Sequence, residues 1–264
     1  MRDAPSSAVL RAFGLSGDAE ALPGGQGTAW RVGDVVLKPA DLSARELEWQ
    51  AEVLGPVARP GLRVSRPLQA KDGGFLAEGW SAWPYLPGRH EAGRWLDILR
   101  VGEGFHRALA DVPRPTFLDA RTDRWAVADR VAWGEWPIQE FLGARHIRPL
   151  VHSLRPVTAP SQLIHGDLTG NVLFSEVHPP AVIDFSPYWR PTVFASAIVV
   201  ADALVWEGAD ERLVKAVKEL PDFAQGLLRA LLFRRVTEEL CGTSPRKTDP
   251  YQPVVDLACT LAQG

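Results

Sequence analysis

Cysteine is scarce, with two residues, Cys241 and Cys259, in a chain of 264. Two thiols near one end of so long a chain build no disulfide framework, and they point to a reducing compartment. Long apolar runs are missing as well. The longest, Val193 to Trp206, carries Ser196 and Asp202 and is too short to span a bilayer, so it reads as a buried helix and no membrane partner is expected. Residues 1–17 contain Arg2, Asp3 and Arg11 without the continuous apolar core of a signal peptide, which predicts a cytoplasmic protein. Nor is there an excess of one charge. Twenty-nine basic against 32 acidic residues give a formal net charge of -3, which excludes a global attraction for nucleic acid or anionic lipid. Lysine is rare among the basic residues, confined to Lys38, Lys71, Lys215, Lys218 and Lys247, so a lysine in an unusual place asks for a reason. Internal repeats and low-complexity tracts are absent.

What is present describes a folded chain: 46% of residues are hydrophobic and 23% charged, and the length suits one to two domains. The first third reads as β-rich. Short apolar runs at 29–32, 35–38, 63–68 and 75–78 are separated by Gly and Asp turns. One helix interrupts them over 43–54, where Ser43 and Glu46 form a capping-box pattern and Gly55-Pro56 ends it. In Trp83-Pro84-Tyr85-Leu86-Pro87-Gly88 two prolines and a glycine deny regular structure, which sets a boundary: a β-rich lobe over 1–87 and a largely helical lobe over 88–264. Helices are predicted over 94–111, 124–133, 138–154, 192–206, 211–220, 223–241 and 251–262, with a β-like interruption over 163–185. The fold class is α+β.

That interruption carries the chemistry. In Leu163-Ile164-His165-Gly166-Asp167-Leu168-Thr169-Gly170-Asn171-Val172-Leu173-Phe174 and Ala181-Val182-Ile183-Asp184-Phe185, apolar strands bracket polar residues. A strand pair of this kind would hold Asp167, Asn171 and Asp184 at a shared edge, and oxygen donors brought together suit a hard divalent cation such as magnesium. Asp184, closing three apolar residues, needs a partner or a cation.

His165-Gly166-Asp167-x-x-x-Asn171 followed by Ile183-Asp184-Phe185 resembles the catalytic and metal-binding loops of the aminoglycoside phosphotransferase-type small-molecule kinases, a group that includes choline kinase-like enzymes. The resemblance implies a bilobal, protein-kinase-like fold, with Asp167 accepting the substrate hydroxyl proton and Asn171 and Asp184 holding magnesium against the ATP phosphates. It extends upstream, from about Leu22. Leu22-Pro23-Gly24-Gly25-Gln26-Gly27-Thr28-Ala29-Trp30 is similar to the phosphate-covering hairpin, in which Gly24, Gly25, Gly27 and Thr28 approach the nucleotide. Lys38, closing the run Val35-Val36-Leu37, matches the phosphate-binding lysine. Its acidic partner falls on the following helix, at Glu48, with Glu46 and Glu52 as rivals. Trp83 to Gly88 resembles the inter-lobe hinge, where Pro84 offers a carbonyl and Leu86 an N–H to adenine.

Two features depart from the family pattern. Only Leu168, Thr169 and Gly170 separate Asp167 from Asn171, one residue fewer than usual, and Trp189-Arg190-Pro191-Thr192 stands where an acidic Asp-Pro-x-x-Asp stretch is common. Trp189 and Arg190 are therefore candidates for the acceptor pocket. The expected activity is magnesium- and ATP-dependent transfer of a phosphoryl group to a hydroxyl of a small molecule: a sugar, amino alcohol, antibiotic or related metabolite. The competing class is a non-catalytic nucleotide-binding homologue. After Phe185 ten acidic residues face nine basic ones, less acidic than a polycationic antibiotic would favour. Thirteen-residue intervals between His152, His165 and His178 fit no zinc motif, and the ten tryptophans, lacking a basic stripe, read as core and cleft walls rather than a nucleic-acid surface. No obligate protein partner is expected.

Overall fold

The computed structural model describes residues 3–23, 27–58, 60–242 and 249–264. In chain order the first elements are α1 (Ser7–Ala12), β1 (Glu20–Ala21), β2 (Trp30–Val32), β3 (Val35–Pro39), α2 (Ala44–Leu54), β4 (Arg63–Val64) and β5 (Trp80–Pro84). There follow α3 (Trp95–Ala108), α4 (Phe117–Ala120), α5 (Arg124–Ala132), α6 (Ile147–His152) and β6 (Gln162–His165). The remainder comprises β7 (Val172–Leu173), β8 (Ala181–Val182), β9 (Pro187–Arg190), α7 (Thr192–Trp206), α8 (Glu211–Val217), α9 (Phe223–Leu240) and α10 (Gln252–Leu261). Contacts divide the chain into two compact units: Met1–Arg89 with Val172–Phe185, and His90–Asn171 with Ser186–Gly264. The linear division at 87/88 had put 172–185 with the second lobe. β8 instead pairs in parallel with β4 and antiparallel with β7, so main-chain hydrogen bonding takes this short excursion into the first unit.

The first unit is built on an antiparallel sheet of order β1-β2-β3-β5. Gly33, at φ +57°, closes the β2–β3 hairpin at the Val32↔Val35 pair, a backbone geometry that costs a glycine little. Strand alternation then sorts β3. Leu37 faces a core of Val9, Val32 and Ala82, and Val36 faces Leu47 of α2 and Trp83. Lys38, two residues from Val36, shares the α2 side of the sheet, its ammonium 6.0 Å from the centre of the Trp83 ring.

The second unit is helical. Helix α7 buries eleven of its fifteen residues and packs on α9, which is also buried along most of its length, with α5 against α9 in turn. The run from Val193 to Trp206 is thus a buried helix, as its composition predicts. No helix among the described residues is long and apolar enough to cross a membrane. The β6–β9 ribbon, register Leu163↔Trp189 and His165↔Pro187, is set into this helical body.

Several local expectations are corrected. Residues 75–78 are not a strand; the fourth sheet strand is β5, so Trp83 and Pro84 lie in regular structure, and Pro84, paired with Val35, ends the strand where its missing N–H is tolerated. The helix predicted over 138–154 is broken into a short 3-10 turn, Gln139–Phe141, and α6, with His146 left-handed at φ +73° between them. Pro149 explains the break, since a continuous helix would lose its hydrogen bond and crowd the carbonyl four residues back. Strand β9 was not anticipated, nor were the single-turn helix α4 and the short α1.

The capping box at α2 forms as its sequence predicts: Ser43 Oγ accepts from the Glu46 N–H at 3.3 Å and Glu46 Oε2 accepts from the Ser43 N–H at 2.9 Å. Ser43→Ala is expected to lower stability by about 1 kcal/mol and Ser43→Asp to leave it nearly unchanged, read from urea unfolding midpoints.

Candidate active site

In the first unit, Lys38 and Asp184 meet. The Lys38 ammonium pairs with Asp184 Oδ1, the two side chains 28% and 44% exposed. Strand β3 delivers the lysine, while β8 runs through Ile183 into Asp184, whose backbone turns left-handed at φ +50°. Aspartate is one of the few residues that adopt this geometry readily, and its use here ends the apolar run and turns the chain toward Phe185. Helix α2 holds that turn. Buried Gln50 donates its Nε2 to the Phe185 carbonyl at 3.2 Å, and Trp49 stacks on the Phe185 ring with centroids 6.3 Å apart. The sequence reading placed a glutamate of α2 on Lys38. The structure pairs Lys38 with Asp184 instead: Glu48 and Glu52 are exposed, and Glu46 is spent in the capping box. Helix α2 thus reaches the lysine through the Asp184–Phe185 turn, by way of residues 49 and 50.

Of the phosphate-hairpin candidates, Gly24 and Gly25 lie outside the described residues. Gly27, at φ +66°, and Thr28 enter β2, and the Leu22 N–H donates to the Ala29 carbonyl at 2.9 Å across this hairpin. Pro84 ends β5 and Leu86 follows it; the intervening Tyr85 donates its N–H to the Asp34 carbonyl at 2.8 Å and lies beneath the Arg31 guanidinium.

In the second unit the loop after β6 presents Asp167. His165 is fully buried, its backbone N–H donating to His106 Nε2 at 3.0 Å, and its own Nδ1 accepts from the Asp167 N–H at 3.1 Å. Gly166 leaves no room for a side chain, since a Cβ there would stand 2.3 Å from the Tyr188 ring. Gly102 of α3 plays the same part for Leu168, whose Cδ1 would meet a Cβ at 2.6 Å. With Leu168 buried in its turn, the Asp167 side chain is the one that emerges, 42% exposed. Asn171 donates its amide to the Asp167 backbone carbonyl at 2.7 Å and to Oδ2 at 3.3 Å, which leaves the Asn171 oxygen available to a cation. Arg234 of α9 donates Nη2 to Asp167 Oδ1 at 2.9 Å and also grips Asp202 of α7, at 2.8 and 2.6 Å. Neither Arg234 nor Asp202 was singled out from sequence for the site. The one signal was a lone carboxylate inside the apolar run 193–206.

Trp189 and Arg190 line a small cleft of about 90 Å³ in the second unit, together with Arg121, Glu135 and Tyr188. Arg190 is committed internally, forming charged hydrogen bonds to Asp129 at 2.7 Å and to Glu135 at 2.6 Å while lying over the Trp133 ring. Its hydrogen bonds hold the Glu135 carboxyl below the usual range, whereas burial raises that of Asp129 despite the same arginine.

The sequence profile of the phosphotransferase enzyme family (APH) matches residues 18–188. The chain belongs to this family. It is a phosphotransferase. No curated protein matches it in sequence. Among solved structures it is similar to an aminoglycoside phosphotransferase from Alicyclobacillus acidocaldarius, at 15% identity and TM-score 0.60, covering 100% of this chain and 94% of that one. A thermostable mutant of the aminoglycoside phosphotransferase APH(4)-Ia, in ternary complex with AMP-PNP and hygromycin B, gives 15% identity and TM-score 0.60 over 96% and 95% of the two chains. A choline/ethanolamine kinase family protein from Mesorhizobium loti gives 15% and 0.51 over 95% and 88%. The shared fold is the kinase-like α+β fold of this family.

The buried histidine pair generates a pH test. Burial, reinforced by neighbouring His165, lowers the His106 pKa from 6.5 to about 3. Between these values the unfolded chain binds a proton that the folded one refuses, so stability falls as pH drops below 6.5 and levels off near 3. From pH 7 to pH 5 His106 alone is expected to cost about 2 kcal/mol. Urea unfolding of His106→Gln, which keeps an acceptor for the His165 N–H, should show a pH slope shallower by that amount; equal slopes would contradict the assignment.

Proposed function

We propose that the protein transfers the γ-phosphoryl group of ATP to a hydroxyl of a small molecule, with magnesium as the metal. The observation that carries this reading is the state of Asp167: an accessible carboxylate, 42% exposed, on a loop that buries Leu168 and ties Asn171 back to Asp167. Such a group is built to receive a proton at one place. In this reading the first unit handles the nucleotide and the second the acceptor.

Lys38 takes the α- and β-phosphates, supported by the hairpin that includes Gly27 and Thr28, and Pro84 and Leu86 receive adenine through backbone groups. Magnesium favours a few oxygen ligands completed by phosphates and water, so a dense carboxylate cluster is not required. Among the described residues no group of three or more His, Cys, Asp or Glu forms such a cluster; the half-exposed Asp184 carboxylate in the first unit and the Asn171 amide oxygen in the second are each oxygen donors of the type magnesium takes. When bound, magnesium would neutralise charge on the phosphate oxygens. Asp167 accepts the proton of the attacking hydroxyl at its carboxylate, while Asn171 and Arg234 keep that carboxylate aimed. The cleft bounded by Trp189 supplies an acceptor-side wall.

The acceptor class is an alcohol. The aminoglycoside acceptors of similar proteins make antibiotics candidates, and the near-neutral balance after Phe185 keeps sugars and amino alcohols beside them. The test is ADP release with Mg-ATP across a panel of hydroxylated metabolites and antibiotics. Asp167→Asn should lower turnover by about 10²- to 10⁴-fold with the KM for ATP changed less than about threefold. Lys38→Met and Asp184→Asn should each stop turnover. Full activity of Asp167→Asn would overturn the assignment, and Mg-ATP binding without turnover by the unaltered protein would favour the nucleotide-binding homologue instead.

A further inference from the structure

We propose that Arg234 is a positioning residue for Asp167 and that Asp202 is its dedicated buried counter-ion. The inference rests on the phosphotransfer reading and deepens it. Three side chains form one chain of charge: Asp202 on α7, Arg234 on α9 and Asp167 on the loop after β6. The Arg234 fork grips both oxygens of Asp202, Nε to Oδ1 at 2.8 Å and Nη2 to Oδ2 at 2.6 Å, and the same Nη2 reaches Asp167 Oδ1 at 2.9 Å. Asn171 holds the other oxygen of Asp167, so both carboxylate oxygens are engaged and the group has one orientation rather than a swing about its last torsion.

Burial shows what the pair is for. The side chains of Asp202 and Arg234 are 3% and 13% exposed, whereas Asp167 is 42% exposed. Burial raises the carboxyl of Asp202 against the pull of Arg234, whereas the carboxylates of Asp202 and Asp167 raise the Arg234 guanidinium against its own burial. A buried ion pair is weak ground for stability, because two well-packed apolar residues would hold α7 to α9 as well. What apolar residues cannot do is extend a directed, charged donor from the packed interior to an accessible carboxylate. The rings of Phe233 and Trp206 lie 5.3 and 5.9 Å from the guanidinium, flanking it. Both bearing helices belong to the core of the unit, so the fork inherits their rigidity. Asp202 sets the place of Arg234, and Arg234 sets the orientation of Asp167.

The experiment uses the full chain and ADP release from Mg-ATP with water as the acceptor. Removing Arg234 alone would strand Asp202 as a buried charge, so the informative variant is the double substitution Arg234→Met with Asp202→Leu, which removes the pair together. Its expected behaviour is a melting temperature and a KM for ATP close to those of the unaltered protein, with kcat lowered 10- to 100-fold. Arg234→Lys keeps the charge but offers a single ammonium in place of the planar fork, and should lower kcat three- to tenfold with the KM for ATP unchanged. Unchanged kcat in the double variant overturns the proposal. Should the double variant fail to fold, unchanged kcat in Arg234→Lys overturns it, and a lowered kcat at constant KM supports it. Absence of any ATP turnover in the unaltered protein would instead count against the phosphotransfer reading itself.

Discussion

A general base on a protein surface must be reachable and yet fixed, and the two demands conflict. Exposure supplies access but releases the side chain, whereas burial fixes it and withdraws it from substrate. At Asp167, the base of the proposed reaction, the conflict is resolved one residue at a time. His165 is anchored in the interior by its backbone N–H donating to His106, Gly166 lies flush against the Tyr188 ring, and Leu168 fills the space that Gly102 leaves. The backbone on both sides of Asp167 is thereby immobilised, and only its side chain emerges. The requirement for a small residue at 166 and a buried ring at 165 follows from this, and the His-Gly-Asp order is the sequence image of that packing.

The parts legible in the sequence were those written locally. Alternation placed β2 and β3, and the Ser43–Glu46 pair fixed the start of α2, because a capping box is a contact between residues three apart. The loop that presents Asp167 was legible through its short motif. What escaped depended on contacts between residues far apart in the chain. Glu48 was favoured as the partner of Lys38 because it lies on the right helix, but a helix offers many faces and nothing local says which one turns inward. The residues that do turn inward are Leu47, Gln50 and Leu54, leaving Glu48 exposed. Arg234 and Asp202 escaped for the same reason, standing on different helices 32 positions apart. The strand at 75–78 was lost to β5 because a five-residue pairing with β3 outweighs a brief apolar run.

Two ion pairs of the same chemistry carry opposite roles, and their exposure separates them. Lys38 and Asp184 are both partly open to solvent, so their attraction is screened and of order 0–1 kcal/mol. Such a pair is easily exchanged: a phosphate group can take the ammonium and a divalent cation the carboxylate with little loss. In the proposed reaction the two groups keep each other in place before nucleotide arrives, and afterwards each has a stronger partner of the opposite sign. Arg234 and Asp202 could not behave in this way. Withdrawing either from the other would leave a charge in the interior without water to solvate it, a penalty of about 3–5 kcal/mol. The exposed pair is therefore suited to yield to a ligand and the buried pair to hold still. The proposed phosphoryl transfer needs both, since the nucleotide must be admitted while the base that receives the proton stays where it was aimed.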